Sequence, residues 1–104
     1  MFFIKELFDE SDVLTILKDI RNNKHINIVE TNHFLLRTDR KYCSYKLIYR
    51  LLKTQFPLRI GFQEFNKFKL FYPHPENNKY YLILIIFIES RNEIQILTTF
   101  PEEI

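Results

Sequence analysis

The chain has 104 residues, 46% of them hydrophobic and 27% charged, a composition typical of a globular domain and not of a disordered segment. Its single glycine, Gly61, excludes the glycine-rich loops that bind dinucleotides and nucleoside triphosphates. The net charge is only +2, but residues 37–59 contain seven basic residues and one acidic residue, whereas residues 1–20 contain five acidic residues and two basic ones. A basic middle of this kind favours binding to a polyanion, although lysine-rich helix surfaces also serve solubility.

The sequence predicts a protein that folds without disulfides. Cys43 is the only cysteine, so no intramolecular bridge can form. The first residues lack a basic region followed by a long apolar run, which predicts no secretory signal. The apolar run at 80–88 is shorter than the roughly 20 residues that a membrane helix needs. We therefore expect a cytoplasmic protein that does not contact a membrane.

Three helices are predicted in the first half of the chain, each preceded by a side chain that can cap it. They run from Asp9 or Ser11 to Asn22–Asn23, from His33 (capped by Asn32) to about Lys41, and from Ser44 to Pro57. A short run of β-forming residues at 26–29 separates the first two helices.

From residue 58 onward, apolar and polar residues alternate, which predicts four strands at 58–63, 67–72, 79–89 and 93–100. The third of these is apolar on both faces and is therefore expected to be central. The short connections favour antiparallel neighbours. The predicted fold class is α+β, with two to three N-terminal helices packed on one face of a mainly antiparallel four-stranded sheet, in one domain spanning 1–104. The run at 26–29 could add a strand at one edge.

The second predicted helix has a cationic face that carries one group able to exchange protons. His33 and Arg37 are four residues apart and Arg40 follows three later, so all three share one face of a helix. A histidine side chain titrates near neutral pH and can act as an acid or a base, and guanidinium groups bind phosphate through two parallel hydrogen bonds. The alternatives are a capping or packing histidine, and arginines paired with Asp39 or Glu30.

Two further sets of residues could complete a phosphate-binding surface. Thr98 interrupts an otherwise apolar last strand, where alternation places it on the same face as Ile94 and Ile96. Its hydroxyl could donate to a phosphate oxygen, or it could be present for its β propensity alone. The basic residues that would bind the nucleic-acid backbone are Lys41, Lys46, Arg50 and Lys53.

Other chemistries find less support. The three histidines fall in three separate elements without cysteines or carboxylates at ligand spacing, so no metal site is predicted, and no cofactor is predicted. Cys43 lies near basic residues but is expected to be structural and not a nucleophile. No pair of carboxylates indicates a glycosidase or a two-metal nuclease.

The order of these parts resembles the small RelE/BrnT-like ribonuclease-toxin superfamily. A β run precedes a helix that opens His-x-x-x-Arg and holds a further Arg, and the last strand contains Thr followed two residues later by an aromatic residue. The similarity covers 26–101 and leaves 1–25 as a helical extension. In the most similar branch the helix reads His-x-x-x-Arg-x-x-x-Arg and the strand reads Thr-Val-Tyr; here the second Arg comes one residue earlier and Thr99 replaces Val. The resemblance implies RNA cleavage without a metal by His33, Arg37, Arg40 and Thr98.

Three functions follow as hypotheses. The first is a metal-independent endoribonuclease, the toxin of a toxin–antitoxin pair, which cleaves RNA by 2′-OH attack and is neutralised by a protein antitoxin with an acidic segment. A second acid–base group would be Tyr42, Tyr72 or a lysine. The second hypothesis is a non-catalytic nucleic-acid-binding module, in which Tyr42, Tyr45 and Tyr49 stack against bases. The third is a protein-interaction domain that pairs through apolar surface with a partner or a second copy.

Overall fold

The computed structural model describes residues 6–38 and 43–104. This part of the chain forms three helices and five strands, and the α+β class is confirmed. The helices are α1 (Glu10–Arg21), α2 (Asn32–Arg37) and α3 (Tyr45–Thr54), and the strands are β1 (Asn27–Glu30), β2 (Arg59–Glu64), β3 (Lys67–Pro73), β4 (Tyr80–Ser90) and β5 (Glu93–Glu103). None of the helices in 6–38 and 43–104 is long and apolar enough to cross a membrane.

Local side-chain caps begin all three helices. Asp9 and Asp12 form a reciprocal capping box at the start of α1, each carboxylate accepting a hydrogen bond from the other residue's backbone N–H. Ser44 caps α3, as predicted. The cap of α2 is Thr31 and not Asn32, because the Thr31 hydroxyl accepts from the backbone N–H of Phe34. Each cap satisfies a backbone N–H that the helix itself leaves without a partner.

The sheet has the strand order β1-β5-β4-β3-β2 and is mixed. Strands β2 to β5 form the antiparallel meander that the short turns predict. The sheet has five strands where a mainly antiparallel sheet of four was predicted, because the run at 26–29, considered as an addition at one edge, forms β1 and pairs parallel to β5, with Asn27 opposite Glu93 and Glu30 opposite Ile96. The backbone N–H of Asn27 donates to the carbonyl of Asn92 at 2.7 Å, so β1 starts beside the start of β5 and covers that edge.

Helices α1 and α3 pack with the buried Phe34 of α2 into one hydrophobic core on one face of the sheet. Alternate residues of β4 supply the sheet side of this core, as expected for a strand buried on both faces. The sequence-derived extension at 1–25 includes α1, whose apolar stripe belongs to this same core. The central members are Val13, Ile16, Leu17, Ile20, Leu47, Ile48, Leu51, Leu52, Leu82, Leu84, Ile86 and Ile88.

The opposite face of the sheet carries a second, smaller cluster. Phe71, Ile83 and Ile85 are buried there, and Tyr81, Leu97 and Phe100 are partly buried against them. Cationic side chains lie over its aromatic rings: the Arg59 guanidinium is 3.9 Å from the centroid of Phe71, and Lys69 Nζ is 4.8 Å from the same centroid.

A buried hydroxyl in the main core gives a stability prediction. Tyr72 is fully buried, and its Oη has no hydrogen-bond partner among the described residues, so burial raises the pKa of this hydroxyl. Burying such a group without a partner costs about 1–3 kcal/mol. We therefore expect Tyr72→Phe to raise the free energy of unfolding by about 1 kcal/mol or more, measured by urea denaturation. Tyr81→Phe, at a partly exposed site, should change little, and a loss of stability in Tyr72→Phe would contradict this account.

Candidate nucleic-acid interface

Helix α2 is short but firmly placed. It follows β1 and lies against β5, where the Thr31 hydroxyl donates to the carbonyls of Ile96 (3.1 Å) and Leu97 (2.8 Å). Phe34 is fully buried in the core between α2 and α3. Six residues are too few for a helix that is stable alone, so this cap and this anchor are what hold α2 and its outward side chains in place.

His33 and Arg37 lie on one side of α2, about 40° apart around the helix axis. His33 is exposed and Arg37 is half-buried. Neither side chain makes a hydrogen bond or ion pair with a residue of 6–38 or 43–104. Glu30, the alternative partner for an arginine, instead accepts a hydrogen bond from the Tyr49 hydroxyl at 2.6 Å. Asp39, the other acid considered as a partner for an arginine, lies outside the described residues.

The remaining predicted residues of this cationic face follow the end of α2. Helix α2 ends at Arg37, and residues 39–42 lie outside the described part of the chain. This range includes Arg40 and Lys41, both predicted site residues, and Tyr42, a candidate for the second acid–base group. Tyr72, another such candidate, is fully buried in the core and is therefore ruled out as a group that touches substrate.

Thr98 lies in the part of β5 next to α2 but on the unexpected face. Ile86 pairs with Ile96, whereas the preceding Ile85 pairs with Thr98, so β5 holds one extra residue, Leu97, in a bulge. The bulge reverses the alternation and turns Thr98 toward the second cluster, the face opposite to α1 and α3. The expectation that Thr98 shares a face with Ile94 and Ile96 was wrong.

Thr99, and not Thr98, lies on the face of the sheet that packs against the helices. It is fully buried opposite Leu84, and its hydroxyl donates to the backbone carbonyl of Ile83 at 2.8 Å. No hydrogen bond joins Thr98 to His33 or Arg37. The structure therefore brings His33 and Arg37 together and does not bring the Thr98 hydroxyl to them.

Helix α3 carries a row of cations that we call the α3 stripe: Lys46, Arg50 and Lys53. The spacing of four and then three residues keeps them within about 60° around the helix axis and spreads them over about 10 Å along it. All three are exposed, while Leu47, Ile48, Leu51 and Leu52 face the core. No carboxylate in the described ranges pairs with them. The α3 stripe is a linear positive surface of the kind that suits a polyanion.

Each end of the α3 stripe meets a surface cavity. Lys53 lines a cavity of about 290 Å³ that lies between α1, the start of β1 and α3 and is also lined by Lys24 and His25. At the other end, Lys46 and Glu76 line a cavity of about 230 Å³ beside the start of α3. We assign no ligand to either cavity.

Two tyrosines of α3 and a glutamate of β1 form a cluster that also contacts α2; the sequence names Tyr45 and Tyr49 as stacking candidates but does not predict their link to Glu30. The ring centroids of Tyr45 and Tyr49 are 4.7 Å apart, and those of Tyr45 and Phe34 are 6.3 Å apart. Hydrogen bonding to Glu30 raises the pKa of Tyr45, and burial followed by hydrogen bonding to Glu30 raises the pKa of Tyr49. Both hydroxyls therefore remain protonated donors at neutral pH. The spacing of four between the tyrosines was the one signal available in the sequence.

This cluster predicts how stability depends on alkaline pH. In the unfolded chain the tyrosines lose their protons near pH 10.0, while their folded pKa values are higher. The stabilisation is thus fully present below pH 10 and is lost as pH rises above it, because the unfolded chain then binds fewer protons. We expect urea denaturation to show constant stability between about pH 8 and about pH 10 and a decline above. The decline should be shallower in Tyr49→Phe, and an equal decline in both proteins would contradict the assignment.

The remaining site predictions concern metals and the cysteine. Within 6–38 and 43–104, no three His, Cys, Asp or Glu side chains lie where they could hold a metal ion together. Cys43, predicted to be structural, is buried in the core. Comparisons of this chain with protein-family models, curated proteins and solved structures found no match.

Proposed function

We propose that this protein is a metal-independent endoribonuclease, the toxin of a toxin–antitoxin pair. The observation that carries the proposal is the pair formed by the exposed His33 and the half-buried Arg37 on one side of α2. The ordinary structural roles for such a histidine belong to its neighbours, since Thr31 caps the helix and Phe34 anchors it in the core. A proton-exchanging group and a guanidinium on one side of a helix suit the binding and cleavage of a phosphodiester.

In the proposed reaction His33 takes the proton of a ribose 2′-OH, and the freed oxygen attacks the adjacent phosphorus. The bond from phosphorus to the 5′-oxygen then breaks, leaving a 2′,3′-cyclic phosphate on one fragment and a 5′-oxygen that takes up a proton on the other. Arg37 binds the non-bridging oxygens and stabilises the negative charge that grows on them in the transition state. Arg40 is proposed as a second phosphate ligand. Thr98 has no role in this scheme, because its hydroxyl faces the other side of the sheet.

The α3 stripe is proposed to hold the phosphates that flank the cleaved bond. The first residue of α3, Tyr45, contacts Phe34 of α2, so the end of the α3 stripe at Lys46 lies on the side of α3 nearer to α2. Three cations in a row also suit the acidic segment of an antitoxin, which would then inhibit the protein by covering the RNA-binding surface.

The test is incubation of the purified protein with RNA in excess chelator, followed by analysis of the fragment ends. We expect cleavage that leaves 2′,3′-cyclic phosphate and 5′-hydroxyl ends. DNA of the same sequence is the matched control, since it lacks the 2′-OH and should stay intact. Intact RNA, or fragments with 3′-hydroxyl and 5′-phosphate ends, would refute the proposed mechanism.

The second candidate function is a nucleic-acid-binding module without catalysis. The position of Thr98 favours it, because the bulge in β5 takes away one of the groups that a cleavage site was expected to use. This candidate predicts salt-sensitive binding of RNA or DNA with no cleavage, and binding that is unchanged in His33→Ala.

A further inference from the structure

Tyr45 lies beside the α3 stripe in a position that a core aromatic would not occupy. Its residue surface is 45% exposed, whereas the neighbouring Phe34 is fully buried. One side of its ring packs against Tyr49, with ring centroids 4.7 Å apart and planes inclined by 32°. We propose that Tyr45 is a base-stacking platform that makes the α3 stripe specific for single-stranded RNA, an inference that rests on the proposed RNA-binding function.

The ring is fixed before any ligand arrives. Tyr49 is held by its 2.6 Å hydrogen bond to Glu30 and packs in turn against Tyr45, and Phe34 contacts the same ring from α2. Three elements, β1, α2 and α3, therefore set its orientation. A pre-organised aromatic side chain loses little conformational entropy on binding, which is the property that a stacking platform needs.

The position of Tyr45 relative to the α3 stripe favours single-stranded RNA over duplex RNA. Tyr45 precedes Lys46 in α3, about 100° from it around the helix axis, and so flanks the row of cations instead of lying within it. A strand whose phosphates contact Lys46 and Arg50 can direct an unpaired base to the side, onto the ring. In a duplex each base is already stacked and paired, so only the phosphate contacts would remain.

The experiment compares two probes on the full-length protein by fluorescence anisotropy. One is a labelled unpaired RNA oligonucleotide and the other is a labelled RNA duplex of the same length, both with 2′-O-methyl groups so that the proposed cleavage cannot occur. We expect the wild type to bind the single strand about tenfold more tightly than the duplex. Tyr45→Leu should lose about this factor on the single strand and nothing on the duplex. Tyr45→Phe, which keeps the ring, should retain the preference.

The matched control is Phe56→Leu, which removes an aromatic ring that is 38% exposed and lies under Arg21, at the opposite end of α3 from Tyr45. It should behave as the wild type. Because the chain has six tyrosines and no tryptophan, tyrosine fluorescence gives a second readout, and quenching by the single strand should be weaker in Tyr45→Phe at equal affinity. This readout still tests the proposal if Tyr45→Leu fails to fold.

The outcomes separate this proposal from the function on which it rests. Equal affinity for the two probes, or a single-strand preference that survives Tyr45→Leu, would overturn the stacking platform and leave RNA binding intact. Quenching that is unchanged in Tyr45→Phe would also overturn it. No measurable affinity for either probe would overturn the platform together with RNA binding.

Discussion

His33→Ala is expected to lower the rate of RNA cleavage by a factor of about 10²–10⁴ and to leave RNA affinity close to that of the wild type. His33 is proposed to transfer a proton during cleavage and so affects the rate, whereas the affinity for RNA is proposed to come from the positive charges of the α3 stripe. His33 is exposed and makes no hydrogen bond with the described residues, so its removal should not disturb α2. The measurements are the initial rate of cleavage in excess chelator and the dissociation constant for a 2′-O-methyl RNA.

The control for this prediction is His25→Ala. His25 is also exposed, lies in the loop before β1, and belongs to neither α2 nor the α3 stripe. His25→Ala removes one histidine, as His33→Ala does, and should leave the cleavage rate unchanged. Wild-type cleavage by His33→Ala would exclude His33 as the acid–base group, and a matching loss of RNA affinity would show that it binds the substrate instead.

The elements that local chemistry determines could be predicted from the sequence. Asp9 and Ser44 cap helices through hydrogen bonds to residues three positions later, so the signal lies within one turn. The continuous apolar run of β4 indicates that this strand is buried on both faces, because a strand with one solvated face would alternate between apolar and polar residues. The cation spacing of the α3 stripe follows in the same way from the helical period.

What the sequence could not predict depends on contacts between distant residues. Thr31 replaces Asn32 as the cap because its hydroxyl also donates to Leu97, which is 66 positions away. The parallel pairing of β1 depends on the position of the chain after α1 relative to β5, which is distant in the sequence. The bulge that turns Thr98 to the other face is a property of the β4–β5 register, and alternation within one strand gives no sign of it.

The candidate site also combines features that one helix determines with contacts that join different elements. The shared side of His33 and Arg37 is a property of one helix and could be predicted, whereas the hydrogen bond from Tyr49 to Glu30 joins α3 to β1 and could not. Tyr45 is likewise held in part by a residue of another element, because its ring contacts Phe34 of α2. The sequence names Tyr45 and Tyr49 as stacking candidates, but only the structure shows that a hydrogen bond from Tyr49 to Glu30 helps to hold them.

Removing the positive charges of the α3 stripe is expected to weaken the binding of RNA strongly. The triple substitution Lys46→Gln, Arg50→Gln and Lys53→Gln should weaken RNA binding by about 10–100-fold near 0.1 M salt. Each lost phosphate contact removes about 0.7 from the slope of log affinity against log salt for a single strand, so the slope should become shallower by about 2. The measurement is the RNA dissociation constant at several salt concentrations.

A charge-matched control separates the α3 stripe from net charge. Lys18→Gln, Arg21→Gln and Lys79→Gln remove the same three charges from exposed positions elsewhere. Long-range repulsion or attraction is screened beyond about 8 Å at physiological salt, so this variant should keep most of the wild-type affinity and salt slope. If both triple variants lost affinity and slope equally, RNA would be attracted by overall charge, and the α3 stripe would not be its binding surface. A loss confined to the stripe variant means that the strand lies along α3, because only contacts at bound phosphates release counterions.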